Sequence, residues 1–518
     1  MKYFGWIFLF FIALYILPIS SRPMLSPDEF LYAGIAREMV MSGDYVIPSF
    51  AGKQVNTLPM TYWLTAGSFK LFGINTFAAR LPAALAVGIC AILIALLIQQ
   101  NLRDEKLAAL AATIFMAFSA VIFSCNIAAR QIIFVMAFAG SAGTVFLALQ
   151  EPKFNRRKLL LLILSGLFTA LGILCDGYNA LIFPALVIIP FILISRKFKD
   201  LIIVPIILLI FAILPLLPWF SNIVLSGVYF SAITSFASWK ENFGLHHWYS
   251  YAVALGIGLL PVIILVPAAL MTGKESWKRL LNQPLCKFAI LGLIMPLIYL
   301  SITRNEPVMM ILTAFPALAI LIALGIQAYF NNGGHHRSFD WMLNVWALFL
   351  TITGIIEVVL WFMRTNLLHE YFSALPVTNL FLINLGVSSI IGGGVILYSL
   401  RGNWRSRLYL FFFSVAILPL AISWCFSANV KMPGNDLHTI IRKGGITDSC
   451  TVITRKEFIP AVSWYCRWQQ PVKALEGDVV TYETCSFVIL PENDPAWLKT
   501  PEKCKNSILC GVFRGDLH

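Results

Sequence analysis

The sequence predicts a polytopic α-helical membrane protein of about thirteen spans, with interfacial helices in its first outer loop and a small C-terminal α/β domain on the same side. Three observations carry this. Of 518 residues, 59% are hydrophobic and only 12% charged, about half the charged fraction of a soluble domain. Mean hydropathy is +0.81. The apolar residues come in runs of about 20, the length that crosses ~30 Å of hydrocarbon as a helix. A soluble multidomain enzyme is thereby excluded.

The first run, 4–20, ends at Ser20-Ser21-Arg22-Pro23 with no small-x-small processing site, so it reads as an uncleaved span rather than a signal peptide. Further spans are predicted at 81–99, 107–123, 129–150, 159–175, 178–195, 201–220, 248–271, 288–302, 308–330, 341–363, 376–400 and 408–427. Placing the N-terminus in the cytoplasm makes the inner connections basic: Lys153/Arg156/Arg157/Lys158, Arg196/Lys197/Lys199, Lys274/Lys278/Arg279/Lys287 and Arg401/Arg405/Arg407. The opposite short loops carry mostly single cations such as Lys240, Arg304 and Arg364, so the positive-inside rule fixes the orientation. The net charge of +13 is therefore a topology signal, and no nucleic-acid partner is expected.

An odd number of crossings leaves two hydrophilic segments on the outer face: the loop 21–80 within a membrane domain 1–427, and the tail 428–518. In the loop, Asp28 to Met41 forms an amphipathic helix with Leu31, Ile35 and Met39 on one side, and a second helix runs from Pro59 through Tyr62-Trp63 to Phe72. The tail reads as α/β. Helices are predicted at Asp436–Lys443 and Glu457–Tyr465, with strands at 450–453, 486–490 and 508–513. Five of the ten cysteines (Cys450, Cys466, Cys485, Cys504, Cys510) lie in the tail, which suits an oxidising compartment and up to two disulfides of unassigned connectivity. No zinc-ligand spacing occurs. Gly392-Gly393-Gly394 inside a span marks close helix packing or flexibility. No inverted repeat and no pair of broken helices is visible, which argues against a transporter.

The scarcest residues carry the chemistry. Asp28-Glu29 stands where a helix begins, with Ser26 or Asp28 available as its N-cap. Acids there favour the positive end of the helix dipole. A carboxylate at the membrane surface also deprotonates an acceptor or holds a cation against a lipid phosphate. Arg130 at the mouth of a span, Asp176 in a short outer turn, His246-His247 before a span, Arg304 and Lys53 are further outer-face charges. Each also has a plainer reading as an interfacial, paired or solvated group.

The pattern around these acids strongly resembles a known family. Pro27-Asp28-Glu29-Phe30-Leu31-Tyr32 through Arg37-Glu38-Met39, Gly43-Asp44-Tyr45, Pro59-Met60-Thr61-Tyr62-Trp63 and Ala79-Arg80-Leu81-Pro82 are similar to the start of the lipid-carrier-dependent glycosyltransferases of the GT-C class. Within that class the pattern resembles the bacterial aminoarabinose transferases that modify lipid A, and more distantly the protein O-mannosyltransferases. The likeness is strong over about 20–90; beyond it, His246-His247-Trp248-Tyr249, Phe315-Pro316-Ala317, the span count and the outer tail continue it.

The resemblance implies transfer of a sugar from a polyprenyl (undecaprenyl) phosphate to lipid A or another envelope acceptor on the periplasmic face of a bacterial inner membrane, with inversion at the anomeric carbon. It implies that Asp28, with Glu29, is catalytic or holds a divalent metal ion, and that Tyr32 and Arg37 match aromatic and basic positions of the motif; Lys53, Arg130, His247 and Arg304 are, from their outer-face charge alone, further candidates to bind the carrier phosphate. The donor is already phosphate-activated, so no nucleotide cofactor is expected. The chain departs from the family pattern at several positions. Asn56-Thr57-Leu58-Pro59 replaces Glu-Lys-Pro-Pro, Leu31 and Gln131 replace an arginine and an acid, and Asp176-Gly177-Tyr178 replaces Lys-Gly-Pro. Either charge comes from new places, among them Arg130, Asp176, Arg304 and His247, or the fold is kept as a binder of a lipid or protein partner with the activity lost.

Overall fold

In hydrocarbon every backbone N–H and C=O must be satisfied within its own segment, so the long apolar runs become helices. The structure, a computed structural model, describes residues 2–20, 24, 27–50, 53–55, 57–127, 129–225, 248–271, 274–303, 308–331, 336–366, 379–398, 404–429, 451–454, 473–474, 486–491 and 511–513. The chain divides into two units, Met1–Arg22 with Arg80–Ala428, and Pro23–Ala79 with Asn429–His518.

The first unit is helical. Helix α1 (Lys2–Phe11) continues as a π-turn to Ile16. Before the next helix of this unit the chain forms α2 (Pro27–Ser42), the strands β1 (Ser49–Phe50) and β2 (Lys53–Gln54), and α3 (Met60–Phe72), all of the second unit. Then follow α4 (Thr76–Leu102), α5 (Glu105–Ala117), α6 (Ser119–Ile127), α7 (Ala129–Gln150), α8 (Arg156–Asp176), α9 (Asn179–Ile194), α10 (Asp200–Ile213) and α11 (Leu217–Leu225). The run continues with α12 (Trp248–Gly258), α13 (Val266–Leu270), α14 (Lys274–Asn282), α15 (Pro284–Ile302), α16 (Phe315–Asn331), α17 (His336–Asn366), α18 (Asn379–Tyr398) and α19 (Trp404–Asn429). Among the described residues, 7 helices are long and apolar enough to cross a membrane, or 9 if each of two bent pairs is one span. Shorter apolar helices, Tyr3–Ile16, Asn179–Ile194, Leu382–Tyr398 and Ser406–Ala421, occupy the remaining predicted spans.

Helix position in the bundle follows from what each side chain meets. The window of Arg130–Gln150 is 89% buried, whereas that of Asp200–Leu225 is 11% buried and shows Ile206, Ile210 and Ile213 outward, a surface suited to lipid. Small hydroxyls join α7 to α8: Ser141 Oγ lies 3.1 Å from Ser165 Oγ and 2.8 Å from Thr169 Oγ1. The glycine run in α18 packs closely against α17, as anticipated: a Cβ on Gly393 would meet Thr351 Oγ1 and the Ala347 carbonyl.

The bent pairs overturn one expectation from the sequence. Helices α5 and α6 meet at 62° and α12 and α13 at 86°. The first break sits inside a continuous apolar run, so composition hides it; the second coincides with Gly258 and Pro261, breaker residues within an apolar run. Their freed backbone groups find partners. The Tyr15 hydroxyl donates to the Met116 carbonyl at 2.7 Å, the Ser119 N–H donates to the Leu260 carbonyl at 2.8 Å, and Ser119 Oγ donates to the Ile257 carbonyl at 2.7 Å. Ser119 thus ties one break to the other, and a lack of broken helices no longer argues against a transporter.

Several of the basic residues assigned to topology also fix helix ends. Lys158 Nζ lies 2.7 Å from Asp200 Oδ1, joining α8 to α10. Arg157 pairs with Glu151 at 3.0 Å and donates to Gln100 Oε1 at 2.8 Å. Arg407, fully buried, pairs with Asp340 and donates to Asn344 Oδ1, joining α19 to α17.

In the second unit, α2 and α3 pack face to face on Phe30, Ile35, Ala36, Met39, Tyr62, Ala66 and Phe69. Both are where the sequence predicts them. The antiparallel ribbon β1–β2 pairs Phe50 with Lys53, and the Phe50 ring covers Gly34 of α2, where a Cβ would come within 2.5 Å of it. The tail contributes β3 (Thr451–Thr454), β4 (Lys473–Ala474), β5 (Ser486–Pro491) and β6 (Gly511–Phe513) in one parallel sheet of order β4-β3-β5-β6. The three predicted strands are present. The fourth, β4, is two residues long and has no pattern to read. The predicted tail helices and the five tail cysteines lie outside the described residues.

Candidate functional site

The first turn of α2 carries Asp28 and Glu29. Proline at its first position needs no N–H partner, and the following acids suit the positive end of the dipole. Ser26, the candidate cap, lies outside the described residues. Asp28 is exposed and Glu29 half-buried. Tyr32, three and four residues further on, shares their face and stacks on Tyr62 of α3, with ring centroids 5.6 Å apart at 29°. Tyr62 is itself buried and its hydroxyl donates to Thr57 Oγ1 at 3.0 Å. Trp63 Nε1 donates to the Tyr45 carbonyl at 2.6 Å, which fastens the loop after α2 onto α3. The structure therefore brings Asp28, Glu29 and Tyr32 together on a rigid hairpin.

Arg37 is not part of that group. It is 5% exposed and stands nine residues beyond Asp28, about 13 Å along the axis and on the opposite side of the helix. Lys53 lies in β2, and its side chain is outside the described residues.

In the first unit, Arg130 at the start of α7 pairs with Asp176 at the end of α8, Nη2 to Oδ1 at 3.2 Å. Asp176 is 6% exposed, so it is no solvated turn residue. Its other oxygen accepts from Asn179 Nδ2 at 2.9 Å, and Asn179 Oδ1 accepts from the Tyr299 hydroxyl at 3.0 Å. Gly177, at φ +66°, lets the chain leave α8 directly into this turn. Arg130 keeps 30% of its side chain exposed while it pairs with Asp176. Asn179 and Tyr299 escaped sequence reading. The first is detectable as an amide three residues after an acid at a helix end; the second is 120 residues away. His247 and Arg304 lie outside the described residues.

Arg80, part of the family-like motif, has a structural use: it is 3% exposed and its Nη1 donates to the Ile19 carbonyl at 2.9 Å, closing the end of the first span. Among the described residues no group of three or more His, Cys, Asp or Glu side chains converges on one point. Asp28 and Glu29 are consecutive in a helix and point about 100° apart, so the pair does not form a protein-only metal site.

Comparison with known proteins places this geometry. Residues 56–219 match the family described as dolichyl-phosphate-mannose-protein mannosyltransferase. The chain is similar to the crystal structure of ArnT from Cupriavidus metallidurans bound to undecaprenyl phosphate, with a TM-score of 0.73 at 16% identity over 98% of this chain and 90% of that one. The helices and this likeness define a multi-pass membrane protein with the fold of that solved structure. Two relatives described as undecaprenyl phosphate-alpha-4-amino-4-deoxy-L-arabinose arabinosyl transferase make the assignment finer. That of Edwardsiella ictaluri is 30% identical over 418 residues, 78% of this chain and 74% of its own; that of Shewanella sediminis is 29% identical over 469 residues, 88% and 83%. The chain belongs to this arabinosyl transferase family.

Proposed function

We propose that the protein moves a sugar from undecaprenyl phosphate, or a related polyprenyl phosphate, to lipid A or another envelope acceptor. The observation that carries the reading is the carboxylate pair on the α2–α3 hairpin, with Asp28 exposed and Tyr32 held beside it, in a chain of this family. Asp28 takes the proton from the acceptor as its oxygen bonds to the anomeric carbon and the bond to the carrier phosphate breaks, with inversion. Glu29 assists. The leaving phosphate is met by cations, with Arg130, Lys53, Arg304 and His247 as the proposed set. Arg37, buried on the far side of α2, supports the hairpin. No step is assigned to a metal.

The reading includes thirteen crossings, the N-terminus in the cytoplasm, the loop 21–80 and the tail 428–518 in the periplasm, and the tail as an α/β domain beside a membrane domain 1–427. The alternation of basic connections supports it. The alternative, a binder without activity, draws on the commitment of Arg130 to Asp176 and on Asn56-Thr57 where relatives carry an acid and a lysine. Mass spectrometry of envelope lipids from cells with and without the gene separates the two. A mass difference of one sugar supports the transferase; identical lipids, with polyprenyl phosphate still bound by the purified protein, support the binder.

A further inference from the structure

A cavity of about 730 Å³ lies within the first unit where α1, α5 and α19 begin and α4 and α16 end. With the alternation of spans read from the sequence, this is the cytoplasmic end of the bundle. Its volume is in the range of small-molecule sites. The wall residues run from Asp104 to Thr113 along α5, a depth of about 13 Å, close to the hydrocarbon of one leaflet. Inside, the lining is apolar: Leu110, Ile326 and Phe412 face the space. The hydroxyl of Thr113, which also lines it, is satisfied within the helix by the Ala109 carbonyl at 2.8 Å. At the mouth, Trp6 and Tyr409 stand edge to face at 5.1 Å, the amphipathic aromatics found at headgroup depth.

The rim has charges of both signs. Asp104 is consumed by structure: it accepts from the Lys106 and Leu107 N–H groups at 2.9 and 3.0 Å and from Gln327 Nε2 at 2.6 Å. Arg103, Glu105 and Lys106 line the same rim and are exposed. Two cations flanking a carboxylate, above an apolar shaft one leaflet deep, complement a head with a phosphate and an ammonium on a single acyl tail's width of space. We infer that this cavity binds a zwitterionic phospholipid of the phosphatidylethanolamine type, its phosphate on Arg103 and Lys106, its ammonium toward Glu105 and one acyl chain beside Thr113. The site is at the opposite end of the helices from Arg130 and Asp176, and it does not depend on the transfer reaction.

Native mass spectrometry of the purified full-length protein, titrated with phosphatidylethanolamine or phosphatidylglycerol of the same acyl chains, tests this. The expected result is one phosphatidylethanolamine retained per chain in preference to phosphatidylglycerol. The Arg103→Ala/Lys106→Ala variant, altered only at exposed positions, should lower that occupancy about tenfold, as loss of charge-assisted bonds to a phosphate does. Thr113→Trp, filling the shaft, should abolish it. Equal retention of both lipids, no retention of either, or occupancy unchanged in the rim variant would overturn the assignment, even if the shaft variant fails to fold.

Discussion

Helices α2 and α8 carry charge at their ends in opposite senses. α2 has Asp28 and Glu29 in its first turn, where the helix dipole welcomes an anion, and Asp28 stays exposed. α8 is charged the wrong way at both ends. Its first turn holds Arg156, Arg157 and Lys158, and its last residue is Asp176. Each wrong-sign buried group has acquired a counter-charge from another helix: Lys158 has Asp200, and Asp176 has Arg130. The contrast separates charges that are used up in holding the structure from a charge left available. An acid that the dipole already stabilises needs no neighbour to neutralise it, so its oxygens can meet a substrate.

Removing the counter-charges is the strongest way to break the comparison. Lys158→Met leaves Asp200 buried without its ion pair and should cost about 3–5 kcal/mol, read as a fall in the thermal unfolding midpoint in detergent. Adding Asp200→Leu should recover most of the loss. Arg130→Gln should cost less, about 2 kcal/mol, because Asp176 keeps Asn179 and because Arg130 is 30% exposed. The double variant Arg130→Gln/Asp176→Asn should again be milder than the single. Within the α2–α3 hairpin, Tyr62→Phe removes only the bond to Thr57 and should cost about 1 kcal/mol, with the stack on Tyr32 intact. Asp28→Asn should change stability least, by under about 1 kcal/mol, the share of one exposed charge in the dipole. A loss at Asp28 as large as that at Lys158 would erase the distinction.

Much of this was legible because hydrocarbon and helix periodicity leave little choice. Apolar length marked the helices, Pro59 and the aromatics after it marked α3, and the run Phe487-Val488-Ile489-Leu490 marked β5, the strand between β3 and β6. The acids of α2 were legible as a helix start. What stayed hidden depends on residues far apart in the chain. Lys158 reads as a topology charge until Asp200 is beside it, and Asp176 reads as a solvated turn until Arg130, Asn179 and Tyr299 surround it. The break at Phe118 is hidden for a different reason: the residues around it are as apolar as any span, and the groups that satisfy the freed backbone, Tyr15 and Ser119, have no local signature, whereas the break before Val262 is marked by Gly258 and Pro261.

The central claim is that Asp28 is held available for chemistry while the buried acids serve structure. The direct measurement is sugar transfer from a lipid-linked donor in membranes containing the wild-type or Asp28→Asn protein, at matched expression and with unfolding midpoints recorded. Transfer should fall by about 100-fold or more in the variant, the range for loss of a general base, while the midpoint stays close to wild type. Wild-type transfer by a folded Asp28→Asn protein would contradict it.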